Sequence, residues 1–208
     1  MNRNLGGRLS AAATALAAML LTGSAVLAVE EPAYETVAEC GDFEIRRYPA
    51  AVGAVSRVSG DFDAAGNQGF RALARYIFGG NGADEEIAMT APVAQSTVDG
   101  AEDAWNVVFY MPSGRAVDDL PSPTSTDVEL RRIEPKTVAV LEFSGFWTEQ
   151  RFRDREMSLR QMLAERSLPD GGRALWARYD PPWTLWFLRR NEIWIELGQA
   201  GPCESRPL

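Results

Sequence analysis

The chain has 208 residues, with 21 basic against 29 acidic side chains, a formal net charge of −8, and no histidine. Without imidazole there is no Ser-His-Asp triad, no His-assisted cysteine nucleophile and no His ligand for zinc or haem iron. The acidity opposes binding to nucleic-acid phosphates, and no basic run offsets it.

Residues 1–28 have the layout of an export signal. Arg3 and Arg8 give a basic start, the apolar run Leu9 to Leu21 follows, and the small residues Val26 and Ala28 stand where a signal peptidase reads. The run is shorter than the roughly 20 residues a membrane span needs. The expectation is cleavage after Ala28, a periplasmic or secreted product, and no stable membrane span once the signal is removed. The remaining 29–208 forms one domain large enough for a real core. Loss of Arg3 and Arg8 leaves 19 basic residues (21 − 2) against 29 acidic, a net charge of −10.

FEIRRY (43–48) and AVGAVSRVS read as strands parted by Pro49. Phe62, Gly66, Gly69, Phe70, Leu73 and Ile77 then recur at helical spacing, and Gly79-Gly80-Asn81-Gly82 stops that helix. IAMTAPVAQ (87–95) and WNVVFYM (105–111) are predicted strands joined by a turn in STVDGAED, with Pro92 marking an edge or bulge. Pro112 to Asp127 reads as a linker rich in Pro, Gly, Asp, Ser and Thr. VELRRI (128–133) and TVAVLEF (137–143) are strands. Trp147 to about Arg166 is a helix with Phe152, Met157, Leu159, Met162 and Leu163 as its apolar residues. ALWARYD, WTLWFL and EIWIEL are further strands.

EIRRYPAAVGAVSRVSG (44–60) and ELRRIEPKTVAVLEFSG (129–145) align without a gap at an offset of 85 (129 − 44). With the shared element order, this predicts an α+β fold of duplicated β-β-α-β-β-like units, about 34–111 and 128–197. They would form a distorted antiparallel barrel or curved sheet carrying two main helices. The groove between helices and sheet is the default ligand site. Within the echoed strands, Arg46 and Arg131 share a face with Glu44 and Glu129, whereas Arg47 and Arg132 lie with Ile45 and Leu130. An arginine beside an apolar position needs a strand end, a bulge or a buried partner. Cys40 precedes the first clear strand and Cys203 follows the last, so an exported chain could bridge its two ends with a disulfide or leave two thiols.

YETVAECGDFEIRRY (34–48), GFRALARYIFGGN (69–81), EEIAMTAPV (85–93) and YDPPWTLWFLRRNEIWIEL (179–197) resemble the SOUL haem-binding family over nearly the whole chain after residue 28. The resemblance implies a two-repeat barrel-like fold and non-covalent binding of haem or a related tetrapyrrole, in a hydrophobic groove beside the first helix. Carried onto this sequence, it points to Phe70, Arg71, Ala74, Arg75 and Phe78 on or just after that helix, to Met89 in IAMTAPV, and to Trp183, Trp186 and Arg189. Ala74 is small where relatives carry larger apolar contacts. Arg71 and Arg75 are i,i+4 neighbours suited to two propionates, or simply solvated. Met89 is a thioether ligand or strand packing. Trp183 and Trp186 would point to opposite faces of a regular strand, so at most one would line a given pocket. Arg189 and Arg190 face a ligand carboxylate or pair with Glu192 or Glu196. The resulting reading is a carrier, buffer or scavenger, not an enzyme. Its alternatives are an enzyme using Glu85, Glu86 or Glu142 with Tyr76 or Tyr110 on a bulky apolar substrate, or a partner-binding envelope module with a degenerate haem site.

Overall fold

A computed structural model describes residues 29–198 and Cys203. The expected signal segment and its cleavage point lie outside the described residues.

Nine antiparallel strands form one curled sheet: β1 (Glu35–Glu39), β2 (Glu44–Tyr48), β3 (Ala51–Ser59), β4 (Val93–Val98), β5 (Ala101–Tyr110), β6 (Glu129–Ile133), β7 (Lys136–Phe143), β8 (Ala174–Arg178) and β9 (Asn191–Glu196). Two helices, α1 (Phe62–Ile77) and α2 (Glu149–Glu165), complete the α+β half-barrel. The sheet order is β1-β2-β7-β9-β8-β4-β5-β3-β6. Without β1 the order is a palindrome in which each strand of the first half mirrors its counterpart in the second.

The register follows the same rule. Ile45 pairs with Ala139, and Leu130 pairs with Ala54; since 45 + 85 = 130 and 54 + 85 = 139, exchanging each residue for its counterpart in the other half turns the first pair into the second. Only Pro49-Ala50 separates β2 from β3, and only Glu134-Pro135 separates β6 from β7. Yet β2 and β3 belong to opposite flanks of the sheet, as do β6 and β7. Links this short force the flanks together, and this curls the sheet.

Sequence signals position both helices. Asp61 caps α1 by accepting from the Ala64 N–H at 2.8 Å, and Gly79, at φ +90°, turns the chain out of it. Thr148 caps α2 through Arg151 N–H. Phe62, Leu73 and Ile77 bury fully against β3 and β5, contributing ~1.5–3 kcal/mol each. A Cβ on Gly69 would lie 2.5 Å from Val107, so the bare backbone there sets how closely α1 approaches the sheet. α2 buries Phe152, Leu159 and Leu163, but Met157 faces outward at 60% exposure, contrary to its assignment to the apolar set.

Three further expectations are corrected. IAMTAPVAQ is a strand only from Val93, because Pro92 has no N–H to give a ladder and ends a non-strand approach. The turn in STVDGAED shrinks to Asp99-Gly100, since β4 and β5 extend through the rest. WTLWFL is an exposed loop ending in a 3-10 turn at Trp186–Leu188; β8 stops at Arg178 and β9 starts at Asn191. The edge strand β1 went unread, because its side chains are mostly exposed and show no clean alternation. Cys40 and Cys203 are joined as a disulfide, with Cα atoms 5.9 Å apart and 163 positions between them in sequence.

Candidate ligand-binding surface

The space between helices and sheet is not an open groove. Phe62, Trp105, Phe152 and Trp176 meet there with ring centroids 5.2–5.6 Å apart and close it. Large aromatic side chains from both helices and from β5 and β8 fill a gap that the strand pattern alone could not show to be full.

Most of the large apolar side chains left exposed among the described residues lie on two segments. On α1, Phe70 is 38% exposed and packs edge-on against Phe109 at 5.4 Å; Phe78, just past the helix, is 61% exposed. Between β8 and β9, Trp183, Leu185, Trp186, Phe187 and Leu188 are all exposed, Trp183 at 82%. Phe146 stacks on Trp186 at 5.1 Å, and Trp186 meets Phe187 edge-on at 5.5 Å, making a ledge of aromatic rings. The sheet register links the two segments. Phe109, Val93 and Arg178 lie opposite one another on adjacent strands, so the chain enters the ledge at the level where Phe70 packs.

The ledge is held by backbone contacts to arginine. Arg189 donates to the carbonyls of Thr184 and Pro182 and lies 4.2 Å over the Trp147 ring. Arg190 stacks 3.5 Å over Tyr179 and pairs with Glu31, with Glu192 nearby. The Nε–H and Nη2–H of Arg189 thus shape the loop. Below the ledge, burial pushes the Arg178 guanidinium down to about 10, with Asp63 opposing, which leaves it charged at neutral pH. It donates to Gln95 and spans the Phe62 and Trp147 rings.

Arg71 and Arg75 are exposed on α1 with no ion pair among the described residues. Ala74 is half-buried between them. Met89 is half-buried and packs against the core. Trp183 and Trp186 are both outside the fold's interior and both available, because they belong to a loop and not to alternating faces of a strand. Phe146, Leu185 and Leu188 went unread as site residues. The run of apolar residues directly after Pro181-Pro182 was the available signal, since a proline pair starts a strand poorly.

On the other face of the sheet, Tyr48, Tyr110, Val138, Val140 and Trp194 form a second apolar cluster. Beside it a charged network is buried: Glu192, 1% exposed, accepts from Arg46 Nη1 at 3.0 Å, Tyr179 Oη at 2.6 Å and Trp194 Nε1 at 2.6 Å. Burial is the largest single influence on the Arg46 guanidinium and would lower its pKa, but the Glu192 charge together with side-chain hydrogen bonds to Tyr48, Glu44 and Glu192 holds it above its usual value. A buried Glu beside a Tyr is what a general base would look like, yet both Glu192 oxygens are engaged. Among the described residues no group of three acidic or cysteine side chains is arranged to hold a metal ion. No helix among them is long and apolar enough to cross a membrane.

A half-barrel sheet carrying two helices places the chain in the class of α+β curved-sheet domains. The model of the SOUL heme-binding protein family matches residues 29–196, and the chain belongs to that family. It is 32% identical to human heme-binding protein 2 over 182 residues, which is 83% of this chain and 88% of the relative. Heme-binding protein 1 of Xenopus laevis is 28% identical over 74% of this chain and 82% of its own. Among solved structures, the C-terminal domain of EcmrR aligns with a TM-score of 0.58 at 12% identity, covering 80% of this chain and 99% of that one. A protein from Listeria innocua described as a hydrolase aligns at 0.54 and 11% identity, covering 76% and 92%. At those identities the likeness is one of fold.

Proposed function

We propose that the protein binds haem or a related tetrapyrrole non-covalently on the open surface between α1 and the 183–188 ledge. The observation that carries this reading is the exposed set of Phe70, Phe78, Phe146, Trp183, Trp186 and Phe187 in a chain of the SOUL family. A macrocycle needs a broad apolar face, and rings that stack without being buried supply one. Arg71 and Arg75 are unpaired cations on the same helix and suit two propionates. The fit is to the macrocycle and its acids and not to the iron. The chain has no histidine, and Met89 is half-buried against the core. Bound haem would supply its own iron chemistry; these residues orient and shield it without an axial imidazole.

Residues 1–28 support export, so the reading is a periplasmic or secreted carrier, buffer or scavenger, with the tetrapyrrole as its partner and no catalytic role. The shared register of the two halves supports descent from a duplicated unit.

The test is titration of the mature chain with hemin and, in parallel, with metal-free protoporphyrin, following the Soret band and tryptophan quenching. Both are expected to bind saturably with comparable affinity. The pair Arg71→Ala/Arg75→Ala weakens both, and so does Trp186→Ala/Phe187→Ala. Absence of any spectral change at micromolar hemin would overturn the proposal.

A further inference from the structure

The two short links that curl the sheet also frame a cavity of about 150 Å³ on the face away from the helices. Its walls include the ends of both links: Tyr48 and Ala51 from one, Ile133 and Lys136 from the other. These are equivalent positions at the offset of 85, so the cavity lies where the two halves meet (48 + 85 = 133; 51 + 85 = 136). That volume is far below the roughly 300–1,000 Å³ of sites for drug-sized ligands. It is close to the ~150 Å³ of an engineered cavity that takes benzene.

The lining is aromatic with an excess of donors. Tyr48 stacks on Trp194 at 4.5 Å and Ile133 adds an aliphatic wall. Tyr110 is 4% exposed and its hydroxyl has no partner. Arg115 also lines the cavity, and its Nε–H is buried and unpartnered. Lys136 lies 5.6 Å over the Trp194 ring, and only Glu196, at 3.5 Å, pairs with it. The carboxylates at the rim are already engaged: Glu30 accepts from Ser113 N–H, Glu31 pairs with Arg190 and Glu134 with Arg132. Burial drives the Tyr110 phenol well above its ordinary value, so it stays a donor at every physiological pH. Buried donors without acceptors are costly, and a ligand that supplies an acceptor relieves that cost.

We infer that this cavity binds a small carboxylate with a ring or short apolar tail, of about benzoate size. The tail lies against Tyr48, Ile133 and Trp194, and the carboxylate accepts from Tyr110 Oη and Lys136 Nζ. The site is separate from the ledge and does not depend on tetrapyrrole binding there.

The probe is 4-fluorobenzoate, titrated into the mature chain and followed by fluorine NMR, with 4-fluorobenzylamine as the cationic comparator. Saturable binding of the benzoate and none of the amine is expected. Tyr110→Phe should weaken the benzoate about tenfold, the loss of one hydrogen bond to a charged group. Its thermal midpoint should not fall and should rise slightly, because the hydroxyl has no partner to lose and its burial is uncompensated. Lys136→Met should weaken binding at least as much. The inference is overturned by absence of saturable benzoate binding at millimolar concentration, by equal binding of the amine, or by undiminished binding in both variants.

Discussion

Arg46→Met is expected to cost ~3 kcal/mol of stability, whereas Arg131→Met, at the equivalent position 85 residues on, costs less than ~0.5 kcal/mol. The Arg46 and Glu192 side chains are 7% and 1% exposed, and removing one member of such a pair strands the other. Penalties of ~3–5 kcal/mol are usual for this. The low end applies because Glu192 keeps the donors of Tyr179 and Trp194. Arg131 pairs only with Glu129, and those side chains are 51% and 62% exposed. Solvent screens that pair almost completely. The assay is equilibrium unfolding in guanidinium chloride, read by tryptophan fluorescence with the disulfide intact. Adding Glu192→Gln to Arg46→Met completes a double-mutant cycle, with an expected coupling of ~2 kcal/mol. Equal costs at positions 46 and 131, or strict additivity of the two changes at the buried pair, would refute the reasoning.

Gly69→Ala places a methyl 2.5 Å from Val107 and is expected to destabilise by ~1–3 kcal/mol, with Val107→Ala restoring part of the loss in the same melt. Replacing Cys40 and Cys203 by serine frees a loop of 163 positions, which a chain-entropy reckoning values at ~5 kcal/mol. A thiol count on the native, unreduced protein should find none, and two titratable thiols would contradict the bridge. Burial holds the Lys136 ammonium below its ordinary 10.5, with Glu196 opposing. The native state therefore releases that proton before the unfolded chain does, and the contribution of Lys136 to stability rises as pH climbs from the lowered value toward 10.5. Buried tyrosines with raised pKa values oppose this in the same window, so the measurement is parent against Lys136→Met: from pH 8 to pH 10.5 the parent should gain unfolding free energy relative to the variant.

The architecture was legible where period and punctuation coincide. The α1 stripe, its Asp61 start and Gly79 stop, and the gapless echo of 44–60 in 129–145 all carry a local physical signature, and all appear in the structure. The candidate site was legible only in part. Phe70, Phe78, Trp183 and Trp186 are exposed as a ligand surface requires, but WTLWFL looks like a strand to any reading based on apolar content. Whether a run of large side chains is core or ledge depends on what lies across from it. Here the helix–sheet space was already full. The Arg46–Glu192 pair was out of reach for another reason. The alternation set Arg47, on the face of Ile45, as the arginine in need of a partner; instead Arg47 is exposed and Arg46 is the buried one, held by a carboxylate 146 residues away.

The crossing of flanks by Pro49-Ala50 and Glu134-Pro135 has a consequence for how the chain can be divided. β2 has its partner β7 in the second half, and β3 has β6 there, so neither half can zip its own flank shut. Ile45 waits for Ala139, 94 positions later, before that ladder exists. Closure therefore comes late in folding, after both halves have been made. A fragment ending at residue 111 would present three orphan edges, on β2, β3 and β4, and a second copy of the same fragment would offer the mates. Cut in two, this protein is predisposed to rebuild itself as a dimer.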